Sequence, residues 1–153
     1  MELCVFSIDD FYKTKEKRKK MSKTLHPLFL TRGVPGTHDT NFINKTFKSL
    51  KKKKFKPVLI PRFDKSIDDR SKKSEWTKVK KQPNIIIFEG WCVGARHQKI
   101  KALKKPLNIV EKKYDSDFKW RKKVNNLLKT QYKKLFDKID KLVYLKAPSF
   151  NHI

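Results

Sequence analysis

The sequence contains little glycine, cysteine or acid. Its 153 residues include four glycines and two cysteines, and 15 acids stand against 40 lysines and arginines. Cys4 and Cys92 provide neither a disulfide framework nor a zinc site, since both need more closely spaced cysteines. The sequence also has no signal peptide and no run of ~18 apolar residues. We therefore expect a soluble, cytoplasmic protein that does not enter a membrane.

The shortage of acids leaves a net charge of +25, which first suggests a polyanionic partner. Only six of the 40 basic residues are arginine, the residue favoured for bidentate recognition of bases and phosphates. The lysines are spread along the whole chain, whereas a binding face concentrates charge on one stripe. We interpret most of them as solvated surface and expect no specific nucleic-acid partner. A basic nucleic-acid-binding module remains the alternative.

The length fits one domain, and the apolar pattern predicts alternating strands and helices. Asp39 stands where the N-cap of one helix is expected, and a longer helix is expected to begin at Asp115 or Ser116. The run at 3–8 has the continuous apolar character of a strand covered on both faces. Prolines around 57–61 favour an edge or hairpin strand, and 64–82 is loop-like. The predicted strands lie at 3–8, 57–61, 84–88 and 141–147, which indicates an α/β fold with a parallel sheet.

Acidic residues follow two of these predicted strands. Asp9 and Asp10 come after the first apolar run, and Glu89 comes directly after 84–88. Ligands of parallel α/β sheets bind beyond the carboxyl ends of the strands, so we expect the acids to meet in one crevice. Glu89 has the position of a Walker-B acid that holds Mg²⁺, or it caps the following turn. One of the two aspartates would accept a proton from an attacking hydroxyl, and Asp10 could instead cap a helix.

Two loops carry further candidate residues. The segment RGVPGTHD at 32–39 is rich in glycine but lacks the Gly-Lys-Ser/Thr of a phosphate loop, so it is either a tight turn or a binding loop. The loop at 61–66, with Arg70 beyond it, holds cations that could clamp an acidic substrate or phosphates. In so basic a chain, composition alone gives this second loop little weight.

Four stretches in register resemble the plant-type D-glycerate 3-kinases, which are P-loop kinases related to uridine kinase, phosphoribulokinase and pantothenate kinase. They are FSIDDFY, RGVPGTHD, IPRFDKS followed by DR, and IIIFEGWCVG. The similarity runs from about Cys4 to the last residues, where LVYLKAPSF resembles the strand before the family's lid helix. Trp91 favours the glycerate kinase branch over the uridine kinases. The resemblance implies a parallel-sheet P-loop NTPase fold of the α/β class.

The resemblance also implies roles by position. Asp9 would be the catalytic base, and Glu89 would be the acid associated with Mg²⁺. The residues on the acceptor side would bind the substrate; they are Tyr12, Arg32, His38, Asp39, Arg62, Lys65 and Arg70. Relatives have Gly-Arg-Gly-Asp-Arg where this chain has Ile67-Asp68-Asp69-Arg70, so the role of Arg70 is open. The implied reaction transfers the γ-phosphoryl group of ATP to D-glycerate, giving 3-phosphoglycerate, and a nucleoside or pantothenate-like acceptor is the alternative within this fold.

In the family, a strand and a Gly-x-x-x-x-Gly-Lys-Ser/Thr loop precede the SIDDFY segment, and a lid helix bearing Trp and Arg follows. We therefore expect residues 1–153 to be a partial kinase domain, incomplete at both ends, with its nucleotide-binding residues unknown. An ATP that is not held cannot be attacked, so we expect this chain alone to be inactive. In the family the strand before that loop lies between the strands that correspond to 84–88 and 141–145, so we also expect these two strands to face a gap with unpaired backbone groups, or to close it by a pairing foreign to the family. The oligomeric state is left open.

Overall fold

The computed structural model describes residues 1–149. Its strands are β1 (Leu3–Ser7), β2 (Val58–Ile60), β3 (Phe63–Asp64), β4 (Asp69–Arg70), β5 (Thr77–Val79) and β6 (Ile85–Glu89). Its α-helices are α1 (Lys15–Thr24), α2 (Thr40–Leu50), α3 (Ile100–Leu103), α4 (Ile109–Tyr114), α5 (Lys119–Leu127) and α6 (Lys133–Phe136). None of the helices in these residues has the length and hydropathy needed to cross a bilayer.

The two apolar runs of the sequence pair with each other as parallel strands. β1 lies beside β6 in a register that runs from Leu3 opposite Ile85 to Ser7 opposite Glu89. Parallel strands need a long crossover, and the segment between these two supplies it with α1, α2 and two short antiparallel pairs, β2–β5 and β3–β4. The predicted α/β fold with a parallel sheet is confirmed.

The β1–β6 sheet is covered on one face only. Cys4 and Phe6 are buried on the inner face, where the Phe6 ring lies 5.3 Å from Phe88 and 5.4 Å from Phe47 of α2. On the outer face, Leu3 and Val5 are more than half exposed. The prediction that this strand is covered on both faces is therefore wrong, since no described element packs over that side.

Local capping signals place the helices. The Asp39 carboxylate accepts a hydrogen bond of 3.0 Å from the Phe42 amide, so the predicted N-cap of α2 is confirmed. The predicted long helix begins later than expected, at Lys119. Asp115 is buried before it, and its carboxylate accepts from the amides of Trp120 and Arg121. Between α5 and α6 the chain forms a π-helical turn over Leu128–Tyr132.

Two further predictions fail. The segment at 64–82 is more than a loop, because it contributes β4, β5 and a short 3₁₀ turn at Lys73–Glu75. The predicted final strand at 141–147 does not form. A strand needs a neighbour to pair its backbone groups, and none of the described strands lies beside this segment. Its apolar side chains from Leu142 to Leu145 are accordingly exposed.

Candidate active site

Two acids stand at the same edge of the parallel sheet. Glu89 ends β6 opposite Ser7, and Asp9 lies two residues past Ser7 in a 3₁₀ turn over Asp9–Phe11. The Asp9 amide donates to the Ser7 hydroxyl at 3.1 Å, and the Ile8 amide donates to the Glu89 carbonyl at 2.9 Å. The structure thus brings the predicted base and the predicted metal-associated acid to neighbouring strand ends.

A short antiparallel contact fixes the loop that carries His38. Tyr12 forms an isolated bridge with His38, the Lys13 amide donates to Thr37 at 2.8 Å, and the Asp39 amide donates to Phe11 at 2.7 Å. The rings of Tyr12 and His38 stack with centroids 4.4 Å apart. Segment 32–39 is therefore a turn held against the residues that follow β1, and it delivers His38 to the same place as Asp9.

Asp9 lies between a cation and an imidazole. The Nζ atom of Lys65 is 3.1 Å from Oδ2 of Asp9, and Nε2 of His38 is 4.0 Å from Oδ1. The Asp9 side chain is about a quarter exposed, whereas His38 is fully buried. The carboxylate can therefore be reached from solvent and has a positive charge beside it.

Burial dominates the electrostatics of this cluster. It lowers the pKa of His38 to about 3, outweighing the negative charge of Asp9, so this imidazole is neutral at physiological pH. Burial also raises the pKa of the Tyr12 phenol, and the nearby Asp9 charge raises it further. The Cys92 thiol has its pKa raised to about 12 by the same cause and stays protonated. Cys92 is therefore an inert core residue.

Lys13 stabilises the His38 loop by two hydrogen bonds to its backbone. Its ammonium donates to the carbonyls of Gly36 at 2.6 Å and His38 at 2.5 Å. Burial lowers the pKa of this lysine to about 8, with Asp39 opposing the effect. The lysine-rich run at 13–24 therefore includes a structural residue that its composition does not reveal.

The predicted arginines are engaged elsewhere. Arg32 pairs with Asp68 and lies over the Phe63 ring. Arg70 donates to the Tyr12 carbonyl at 2.8 Å. Arg62 is exposed. Burial of Asp10 raises the pKa of that carboxyl, and the positive charge of Arg62 opposes this effect. Of the predicted acceptor-side cations, the structure places Lys65 against Asp9.

The other two candidate aspartates, Asp39 and Asp10, accept hydrogen bonds from backbone amides. Asp39 caps α2 and lies 3.6 Å from Lys17, so its carboxylate is already occupied. Asp10 accepts from the Phe63 amide at 3.3 Å. Asp10 therefore holds the β3 loop in place beside Asp9, and the predicted role of base stays a prediction for Asp9.

Sequence reasoning missed Tyr132 and Arg18. The Tyr132 hydroxyl lies 2.8 Å from Nδ1 of His38, although 94 residues separate the two. Arg18 is fully buried and donates to three carbonyls, those of Lys13, Leu30 and Asp68. The spacing of Tyr132 from Leu128 and Phe136 did place it on the apolar face of its helix, which was the available signal.

One other group of possible metal ligands occurs among residues 1–149. His26, Asp115 and Asp117 bring three ligand atoms within 4.8 Å of one another. Asp115 is already committed to the amides of α5 and to Arg121, at 2.8 Å. This group is explained by helix capping and a buried ion pair.

Comparison with known proteins identifies the family. No family model matches the chain. An uncharacterised kinase, mug58, of Schizosaccharomyces pombe is 34% identical over 97% of this chain and 55% of its own length. The chloroplastic D-glycerate 3-kinase of Arabidopsis thaliana is 31% identical over 72% of this chain and 26% of its own length. A solved structure of D-glycerate 3-kinase from Cryptococcus neoformans superposes with a TM-score of 0.72 at 29% identity.

That structure is matched over 92% of this chain and 52% of its own chain. The present chain thus spans about half the length of the fission yeast kinase and of the solved structure. These relatives are all named as kinases. The chain therefore belongs to the family of P-loop kinases that includes D-glycerate 3-kinase.

Proposed function

We propose that this chain forms the acceptor side of an ATP-dependent small-molecule kinase, with a small hydroxy acid such as D-glycerate as acceptor and Asp9 as the general base. The observation that carries this proposal is the placement of Asp9 between Lys65 and His38 at the end of β1. A base must reach the hydroxyl proton that it removes, and Asp9 is accessible at a strand end where α/β sheets bind ligands.

The surroundings of Asp9 favour an acidic acceptor. Lys65 is 62% exposed on its side chain and can donate to a substrate carboxylate while it stays near Asp9. Tyr12 and Phe63 form an aromatic wall with ring centroids 5.2 Å apart. A three-carbon hydroxy acid would place its carboxylate toward Lys65 and its hydroxyl toward Asp9. The names of the Arabidopsis and Cryptococcus relatives point to the same acceptor class.

The oxygen donors at the sheet edge fit Mg²⁺. Glu89 is exposed at the end of β6, and the Ser7 hydroxyl lies opposite it on the same face. Mg²⁺ is commonly bound by one or two carboxylates together with water and substrate phosphates. When bound, it would neutralise charge on the transferred phosphoryl group. Glu89 is the residue of this chain that would hold it.

No motif of this sequence accounts for nucleotide binding. The 153 residues contain no Gly-x-x-x-x-Gly-Lys-Ser/Thr segment, and positioning of the phosphates dominates the catalysis of phosphoryl transfer. We therefore expect the chain to bind an acceptor and not to turn over by itself. A cytoplasmic location, where ATP is available, also stays a prediction.

Acceptor mapping by NMR tests the proposal. We expect D-glycerate to shift the amide signals of residues 9–13, 36–38 and 63–65 of the ¹⁵N-labelled chain, saturably and at physiological salt. Uridine and pantothenate should leave these signals unchanged. Asp9→Asn should alter the response to glycerate, whereas Asp140→Asn, which makes the same charge change at an exposed position, should not.

Two outcomes contradict the proposal. The first is selective binding of uridine or pantothenate at this site, which would name a different acceptor. The second is binding of single-stranded DNA that weakens steeply with salt and ignores Asp9→Asn, which would favour the nucleic-acid module. Glycerate-dependent ADP release by this chain, lost in Asp9→Asn, would contradict its expected inactivity.

A further inference from the structure

Two buried polar atoms face each other at the site without a hydrogen-bond partner among residues 1–149. They are Oδ1 of Asp9 and Nε2 of His38, which lie 4.0 Å apart. Buried polar atoms are nearly always satisfied, so an unpartnered pair of this kind indicates a missing group. Their separation of 4.0 Å is too long for a direct hydrogen bond, but it is short enough for one oxygen atom to lie within hydrogen-bond distance of both.

The contacts of Tyr132 determine what His38 offers to that gap. The Tyr132 oxygen accepts from the Gly36 amide at 2.7 Å and more weakly from the His38 amide at 3.4 Å. With two N–H donors directed at it, the hydroxyl has its own hydrogen left to donate, and Nδ1 of His38 lies 2.8 Å away. Burial raises the pKa of Tyr132, so the phenol keeps that hydrogen.

A neutral imidazole that accepts at Nδ1 carries its proton on Nε2. The Nε2–H group therefore lies on the side of His38 that faces Asp9. The opposite tautomer would place a lone pair there, and His38 would then compete with Asp9 for the proton of the acceptor. The hydrogen bond from Tyr132 thus favours the tautomer in which His38 presents a donor, and not a proton acceptor, toward Asp9.

The backbone around Tyr132 is built for this contact. Tyr132 is fully buried and ends the π-helical turn over Leu128–Tyr132, between α5 and α6. Such turns occur frequently at functional sites. Gly36, which donates to the phenol, packs so closely that an added Cβ would lie 2.7 Å from a methyl carbon of Leu127.

We propose that the acceptor hydroxyl is held between Asp9 and His38, and that Tyr132 is a positioning residue acting through His38. The hydroxyl donates to Oδ1 of Asp9 and accepts from the Nε2–H group of His38. This proposal rests on the proposed kinase function and adds to it the binding position of the reacting oxygen. In the reaction, the acceptor oxygen forms a bond to the γ-phosphorus and its proton passes to Asp9. The bond from that phosphorus to the β,γ-bridging oxygen breaks, and its electron pair leaves with ADP.

The tautomer of His38 can be measured without any turnover. Long-range ¹H–¹⁵N spectra of the ¹⁵N-labelled chain distinguish the two neutral tautomers from the charged ring, and His38→Gln assigns the signals. At pH 7 we expect His38 to be neutral with its proton on Nε2. A charged ring, or a proton on Nδ1, in the wild-type chain would overturn the proposal.

The variant Tyr132→Phe removes the donor to Nδ1, and we expect a mixture of His38 tautomers in a chain whose amide spectrum stays folded. Tyr144→Phe removes a phenol from an exposed side chain and should leave the His38 signals unchanged. A purely structural Tyr132 would alter stability but not the tautomer. An unchanged tautomer in Tyr132→Phe therefore contradicts the positioning role, and failure of that variant to fold leaves the wild-type measurement decisive.

Ligand titration separates this proposal from the proposed function. D-Glycerate should shift the Nε2–H signal of His38, whereas lactate, which keeps the carboxylate and lacks the terminal hydroxyl, should not. Tyr132→Phe should weaken glycerate binding roughly fivefold, as expected when one hydrogen bond is lost. If glycerate binds but the His38 signal does not shift, the proposed position of the hydroxyl is wrong and the proposed acceptor stands. Absence of any glycerate binding to the wild-type chain overturns the proposed acceptor as well.

Discussion

The ammonium of Lys65 lies 3.1 Å from the carboxylate of Asp9, and both side chains remain accessible to solvent. Lys65 is 62% exposed, so the pair contributes at most about 1 kcal/mol to folding. An interaction this weak can be exchanged for one with a substrate. Under the proposed function, Lys65 could therefore exchange its contact with Asp9 for one with an acidic substrate.

Replacement of this lysine gives the first prediction. Lys65→Ala should weaken D-glycerate binding at least roughly tenfold, since a hydrogen bond to a charged group is lost. The free energy of unfolding should change by less than about 0.5 kcal/mol. Calorimetric titration and urea unfolding measure the two quantities.

Lys81→Ala is the matched control, because Lys81 is an exposed lysine that lies 3.4 Å from Glu2, away from the site. Its loss should leave glycerate affinity unchanged. If both variants weaken binding equally, general electrostatic attraction to a basic protein explains the binding, and Lys65 has no specific role.

The second prediction concerns stability at low pH. The pKa of His38 is lowered to about 3 in the folded chain, against an ordinary value of 6.5. Between pH 6.5 and 3, His38 is therefore protonated in the unfolded chain and neutral in the folded chain. The free energy of unfolding thus has its full value above pH 6.5 and decreases as the pH falls toward 3. The expected slope is roughly 1.4 kcal/mol per pH unit.

Urea unfolding of the wild-type chain and His38→Gln between pH 6.5 and 4.5 measures this difference. The groups that face His38 are Asp9, Lys13, Tyr12 and Tyr132. Above pH 4.5 the aspartates whose pKa values lie below 3.8 stay ionised and contribute little to the slope. His97→Gln at an exposed position should keep the wild-type slope, and equal slopes in wild type and His38→Gln would contradict a neutral buried His38.

The third prediction uses a glycine at the sheet edge. Gly90 follows Glu89 with φ +152°, and an added Cβ would lie 2.3 Å from a methyl carbon of Ile8. Gly90→Ala should push Ile8, the residue before Asp9, and lower the free energy of unfolding by about 1–3 kcal/mol more than the control does. Gly33→Ala is the control, since Gly33 has φ +138° with nothing within 4 Å of the added atom.

Glycerate binding sharpens this comparison. Displacement of Ile8 moves the start of the Asp9 turn, so Gly90→Ala should also weaken glycerate binding, while Gly33→Ala should not. Equal stability losses in the two variants would show that backbone strain alone matters and that the contact with Ile8 yields without moving the base.

The elements that were predicted correctly depend on local signals. The strands that contain Phe6 and Phe88 are continuous apolar runs, and α2 begins at an aspartate followed by apolar residues at helical spacing. The final strand failed because pairing requires a neighbour that a local pattern does not report. For the same reason, the exposure of Leu3 and Val5 could not be deduced from an apolar run.

The candidate site shows the same difference between local signals and contacts with distant residues. Asp9 and Glu89 were predicted to lie at one edge of the sheet because both follow strands, and the structure places them at neighbouring strand ends. Among the cations, composition could not separate Lys65, which reaches Asp9, from Arg32, which pairs with Asp68. Tyr132 could not be assigned a role from sequence, because its contact with His38 arises only when the π-helical turn packs on the loop at 36–38.

The fourth prediction tests whether Glu89 binds a divalent cation. Mn²⁺ replaces Mg²⁺ at oxygen sites and broadens nearby NMR signals, so a weak site is detectable without nucleotide. Small additions of Mn²⁺ should broaden residues 7–9 and 89–90 first, and an excess of Mg²⁺ should restore them. Glu89→Gln should abolish the effect, because an amide is a poorer ligand for a hard cation, whereas Glu2→Gln at the exposed start of the same sheet should preserve it. Broadening centred on His26, Asp115 and Asp117 would move the cation to the other group of acids and remove Glu89 from the proposed reaction.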